Sequence, residues 1–190
     1  MSLKRYTAPA STPVTLAEAK AHLRVDVSDD DALITTMIES ATDMAEQATG
    51  RALISQTWDL NLDAFPTEIE LAPVPIVSVS SFTYTDTNGA TQTLSSGPDY
   101  VLDTTGDHGP ARIVPAYGKT WPETRDQINA VTIRFVAGYA NAAAVPAAIK
   151  SWILLQVGAM YENRQAETDR MPFKLGFADR LLDRYKVWAL

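Results

Sequence analysis

Residues 28–50 decide the fold: Ser28-Asp29-Asp30-Asp31-Ala32-Leu33-Ile34-Thr35-Thr36-Met37-Ile38-Glu39-Ser40-Ala41-Thr42-Asp43-Met44-Ala45-Glu46-Gln47-Ala48-Thr49-Gly50. Leu33, Ile34, Met37, Ile38, Ala41, Met44, Ala45 and Ala48 recur every three or four residues. That spacing stacks side chains on one face of a helix. It predicts a long helix over 29–49 with an apolar stripe, and with Asp30, Thr36, Glu39, Asp43 and Gln47 toward solvent. Ser28 is placed to cap it. Asp29, Asp30 and Asp31 fall in the first turn, where the helix dipole favours negative charge. Gly50 is a natural stop.

On the N-terminal side, Thr15-Leu16-Ala17-Glu18 has the spacing of a capping box, in which two side chains each satisfy a free backbone N–H. Leu16, Ala19 and Leu23 then share a face of a short helix ending near Arg24. On the C-terminal side, the pattern becomes β from Ile54 to Phe135. Trp58, Leu60 and Leu62 alternate with Thr57, Asp59 and Asn61, and further strands are expected at 69–71, 76–85, 91–94, 100–102, 112–114 and 130–136. Asn88-Gly89 between two such runs signals a hairpin. Its second run is polar, so this hairpin is expected to project. Val131, Ile133 and Phe135 share one face. Helix returns at Pro146, with Ile149, Trp152, Ile153, Gln156, Val157, Met160 and Tyr161 at helical spacing. A last amphipathic piece over 177–188 carries Leu181, Leu182 and Tyr185.

The order helices, antiparallel strands, helices is α+β. The expected architecture is a helical core, the long helix near 29–49 packed with a C-terminal helix near 146–163, with an inserted antiparallel β subdomain. It is read as a single domain over 1–190, comprising N-terminal helices (14–50), a β-rich insertion (54–136) and C-terminal helices and tail (146–190).

Composition narrows the function. There are no cysteines and only two histidines, His22 and His108, which excludes thiolate zinc sites and cysteine nucleophiles and disfavours multi-histidine metal sites. A net charge of -7 without a Lys/Arg cluster argues against tight phosphate binding. The N-terminal residues 1–13 lack the apolar run of a signal peptide, and the apolar stretch 131–160 is broken by Arg134, Asn141, Pro146 and Lys150, so no membrane span is expected. The protein is expected in the cytoplasm.

Candidate chemistry is sparse. Asp26, Asp29, Asp30 and Asp31 could suggest a cation site, but consecutive carboxylates diverge and no glycine-turned calcium loop is present. Helix capping is the reading adopted. Asp103, Asp107 and His108 share a Gly-containing loop; without a nucleophile and an orienting third group, a solvated turn is expected. His22, near the end of the first helix, suits a structural role. No GxxxxGK[ST], GxGxxG or GxSxG pattern occurs. Trp58, Trp121 and Trp152 read as packing residues. Trp188, close to the C-terminus, is expected to dock either on a neighbouring subunit or on the chain's own helical core. No catalytic, cofactor-binding or metal-ligating residue is assigned, and no cofactor is expected.

The run from Val14 to Val25, with Leu16, Lys20, Leu23 and Arg24, followed by Asp29-Asp30-Asp31-Ala32-Leu33-Ile34, resembles the opening of phage head–tail connector proteins. Thr49-Gly50-Arg51-Ala52-Leu53 leading to Gln56-Thr57-Trp58 is similar to the same family's helix end and first strand. Val145-Pro146-Ala147-Ala148-Ile149-Lys150 and Tyr161-Glu162-Asn163-Arg164 resemble its C-terminal helix, and Leu181-Leu182 with Tyr185-Lys186-Val187-Trp188 its tail. The tail departs from the pattern where Asp183-Arg184 precedes Tyr185 in place of a proline. The resemblance implies a structural, non-enzymatic subunit that assembles as a cyclic homo-oligomer on the portal protein, extends the DNA channel and receives later neck or tail proteins. DNA would pass an acidic lumen without specific binding. The place implied is the virion neck, reached from the host cytoplasm. Two other readings stay open: a helical interaction module unrelated to phage, and an unfamiliar enzyme using the Asp103–His108 loop.

Overall fold

The computed structural model describes residues 1–106, 109–163, 177–178 and 180–187. It contains both helices and antiparallel sheets, so the α+β expectation is borne out. The chain divides into two compact units: Ser11–Ile54 with the described part of Tyr139–Lys186 is helical, and Met1–Ala10 with Ser55–Gly138 is β.

In the helical unit, α1 (Leu16–Leu23) opens on the expected capping box. Glu18 N donates to Thr15 Oγ1 at 3.2 Å, and Thr15 N donates to Glu18 Oε2 at 2.7 Å. Helix α2 (Asp31–Thr49) starts later than the sequence suggests. Ser28 does not cap it through its side chain; its carbonyl accepts from Asp31 N at 3.1 Å, and Asp30 is the N-cap residue without a side-chain cap bond. Gly50 ends the helix in the left-handed region at φ 68, a conformation that costs glycine nothing.

Helix α2 buries Ile34, Met37, Ile38, Ala41, Thr42, Ala45 and Thr49. Leu33, Met44 and Ala48 of the expected stripe are exposed instead. The buried arc is turned toward two threonines, and the reason is local. Thr42 Oγ1 donates to the Ile38 carbonyl and Thr49 Oγ1 to the Ala45 carbonyl, each at 2.7 Å, so neither hydroxyl is buried unpaired. Helix α3 (Ala147–Glu162) follows Pro146 and buries Ile149, Trp152, Ile153 and Val157. The short α4 (Arg180–Asp183) adds Leu182. With Val14 and Ala19 these residues form one hydrophobic cluster.

In the β unit, the five-stranded sheet has the order β1 (Ser2–Thr7), β2 (Gln56–Leu62), β8 (Val131–Ala137), β4 (Ile76–Thr85), β5 (Thr91–Thr93). A three-stranded sheet has the order β3 (Ile69–Leu71), β7 (Ala111–Pro115), β6 (Tyr100–Asp103). Strand β8 is the centre of the larger sheet, and Val131, Ile133, Phe135 and Ala137 are fully buried. Leu60 on β2 and Phe82 on β4 both pair with Ile133. Strand β4 reads its partner unevenly: Ile76, Val79 and Phe82 oppose Ala137, Phe135 and Ile133, because two bulges insert extra residues. Rings of Phe82 on β4 and Tyr100 on β6 meet at 5.1 Å and join the two sheets.

Strand β1 has no counterpart among the expected elements. All six of its side chains are exposed, so it carries no burial alternation to read. It is held by its ladder to β2 and by two aromatic contacts: the Arg5 guanidinium lies 5.4 Å from the Trp58 ring centroid, and that of Arg134 lies 3.4 Å from Tyr6.

Truncating Ile153 to alanine removes a fully buried side chain from the helical cluster. The expected cost is about 2–5 kcal/mol, against less than about 0.5 kcal/mol for Leu33→Ala on the exposed side. Urea unfolding measures both.

Candidate functional site

The carboxylates at the start of α2 act as tethers. Lys20 Nζ on α1 donates to Asp31 Oδ1 at 2.6 Å, and Tyr161 OH on α3 donates to Asp30 Oδ2 at 2.6 Å. Each fixes the start of α2 to another helix, a role that capping rules do not foresee. Asp26 and Asp29 are exposed. No group of acidic, histidine or cysteine side chains suited to a metal ion occurs among the described residues.

A third tether joins α1 to α3. Lys150 Nζ donates to Glu18 Oε1 at 2.8 Å. That bond, with the capping bonds from the Thr15 backbone and hydroxyl, holds the Glu18 carboxyl down at about 2, below its ordinary 4.5. His22 lies beside α3, its Nε2 3.5 Å from where a Cβ on Gly158 would sit. That is ordinary contact distance, and His22 itself is exposed.

Asp103 is exposed and closes its own turn. Its Oδ1 accepts from Thr105 Oγ1 at 2.6 Å and from Thr105 N at 2.9 Å. These bonds, led by the hydroxyl, lower its carboxyl below the usual range. Asp107, His108 and Trp188 lie outside the described residues. Trp121 stacks on Phe65 at 4.9 Å, Trp152 is buried in the helical cluster, and Trp58 carries Arg5.

The hairpin at Asn88-Gly89 is present, and its strand β5 is fully exposed. Asp86 organises it: Oδ1 accepts from Asn88 N and Ala90 N, and Oδ2 accepts from Gln92 Nε2 at 2.8 Å. The Gln92 bond leads in lowering the Asp86 carboxyl. Gly89 stands at φ +88, a conformation that favours glycine; a Cβ there would fall 2.7 Å from Arg125 Nη1, the end of a flexible side chain that can move aside.

Polar groups are therefore spent on tethers and turns, while several large apolar side chains stay on the surface. Leu3, Tyr6, Leu33, Met44, Tyr117 and Ile128 are all exposed. Each is a side chain that another macromolecule could cover.

The comparisons point the same way. Residues 13–98 match the family model described as phage gp6-like head-tail connector protein. The expected likeness to head–tail connectors is borne out. Over its whole length the chain is similar to one in the virion of a native gene transfer agent particle, 26% identical with a TM-score of 0.81, the match covering 100% of this chain and 97% of that one. A chain in the neck of an empty gene transfer agent particle, computed with C6 symmetry, is 26% identical over the same shares with a TM-score of 0.80. One in the neck of the native particle, computed with C12 symmetry, is 25% identical over the same shares with a TM-score of 0.77. No curated protein matches. The family model spans the connector-like motifs from Val14 to Trp58, while those at 145–150 and 161–164 fall within the structural matches alone. Contacts join these motifs: Lys150 to Glu18 and Tyr161 to Asp30 as above, and Arg51 Nε, which donates to the Tyr185 carbonyl at 2.6 Å.

The Glu18 tether gives a pH dependence. A carboxylate whose folded value is depressed adds stability above its unfolded value, and that stability fades as pH falls through the folded one. Glu18→Gln is expected to lower stability at neutral pH by about 1 kcal/mol or less, since the group is partly exposed and screened. The difference from the parent should vanish as pH drops from 4.5 to about 2. Urea titrations across that range measure it.

Proposed function

We propose that this chain is a structural subunit of the neck of a phage or phage-derived particle. It assembles as a ring on the portal protein, extends the channel through which DNA passes, and presents a docking surface to later neck or tail proteins. The observation that carries this reading is the end-to-end likeness to chains of particle necks computed with C6 and C12 symmetry.

The residues fit such a role. The two compact units act together as one connector domain, and the pairing of α2 with α3 supplies its rigid helical body. A closed ring uses two different, complementary faces of each subunit. The net charge of -7 suits a wall past which DNA slides, because carboxylates repel phosphates and offer no counterion-releasing grip. No cofactor, metal or catalytic group takes part. Residence is in the virion neck, with assembly in the host cytoplasm.

The test is a mass measurement by light scattering on the purified chain, alone and mixed with the portal protein of the same particle. A ring whose symmetry matches the portal is expected in the mixture. A chain that stays monomeric and unbound beside the portal overturns the reading.

A further inference from the structure

The outer side of α2 is both apolar and acidic. Leu33 is 38% exposed and Met44 47%. With Ser40 between them they follow one line along the helix, at steps of seven and four residues. Glu39 and Asp43 are exposed on one side of that line, about 100° round the helix from it. Between Arg24 and Arg51 the sequence holds seven carboxylates and no basic residue. Three of them are used within the unit, Asp30, Asp31 and Glu46. Asp29, Glu39 and Asp43 enter no ion pair among the described residues.

Strand β1 has the opposite sign. Its exposed residues include Lys4 and Arg5 beside Leu3, 44% exposed, and Tyr6, 58% exposed. One edge bonds to β2; the other is the open end of the sheet. Neither Lys4 nor Arg5 enters an ion pair among the described residues. Its length also suits: the five steps from Ser2 to Thr7 span about 17 Å, and the eleven from Leu33 to Met44 about 16 Å.

We infer that copies of this chain join head to tail through these two surfaces, the outer side of α2 in one copy meeting β1 of the next. The inference rests on the ring reading above and names the faces that close the ring. Like charges decide against the alternatives. A two-fold pairing of β1 with β1 would set Lys4 and Arg5 against their own copies, and α2 with α2 would oppose Glu39 and Asp43 to theirs. Both arrangements bring like charges together. The mixed pairing sets the acidic side of α2 against the basic open edge of β1 and is heterologous, as a ring requires.

The test reverses charge on each face of the full chain: Lys4→Glu with Arg5→Glu, then Glu39→Lys with Asp43→Lys. Ring formation is followed by light scattering, alone and with the portal protein, and folding by circular dichroism. Each pair is expected to cut the ring fraction about tenfold, and a chain carrying all four reversals should regain it. Rings undiminished in either pair would show that copies meet elsewhere, leaving the ring reading intact. Folded variants that lose the ring without recovery in the four-fold variant would assign these faces to the portal and overturn the inference. A parent chain that never forms a ring would remove the ring reading and this inference together.

Discussion

Ile133 has Leu60 on one flank and Phe82 on the other, and all three are buried. This row sets the register of the larger sheet. Side chains alternate across a strand, so a slip of one residue would turn Val131, Ile133 and Phe135 outward and bring Thr132, Arg134 and Val136 into the interior. The cost of burying the Arg134 guanidinium alone forbids it. In the helical unit the same constraint appears as one cluster shared by Ile34, Ile38, Ile149 and Ile153. Each unit has its own interior, and each long element commits one face to it.

That commitment decides what the other faces can do. Arg134, turned outward, makes a forked pair of bonds to Asp59 at 2.7 and 2.8 Å and lies over Tyr6. A strand that buries none of its side chains is thereby held in place. An edge ordered before a partner arrives loses less entropy when it binds, so its contacts are converted into affinity more fully. Several carboxylates serve a similar end. Asp30, Asp31 and Glu18 each join two helices, Asp86 shapes its hairpin, and Asp103 closes its turn. Groups placed this way hold a surface in shape.

Much of this was legible in the sequence, for reasons that can be named. The Thr15–Glu18 box, the Asn88-Gly89 turn and the alternation in β2 and β8 are local signals whose chemistry needs no tertiary context. The failures are tertiary. Strand β1 escaped because a strand exposed on both faces has no burial pattern. The bulges in β4 convert a period of two into a spacing of three, which alternation rules cannot see. The stripe on α2 was misplaced because Thr42 and Thr49 satisfy their hydroxyls on their own helix and so behave as small apolar residues. The tethers from Asp30 and Asp31 were read as capping because their partners, Tyr161 and Lys20, lie far away in sequence or on another helix. The connector motifs were read from their order along the chain, which survives even where single elements are displaced by a few residues.

The misplaced stripe is also where structure and charge meet. Had Leu33 and Met44 been buried, α2 would have a purely polar outer side with nothing to gain from contact. Their exposure gives that side an apolar line, which would ordinarily favour pairing with itself. The carboxylates on the same outer side, Glu39 and Asp43, add negative charge to both copies in a symmetric α2–α2 contact, and no basic residue between Arg24 and Arg51 offsets them. Apolar attraction without direction is thus converted into attraction for surfaces of opposite sign. For the ring proposed above, this combination favours the mixed contact over self-pairing, and neither apolar exposure nor negative charge would provide it alone.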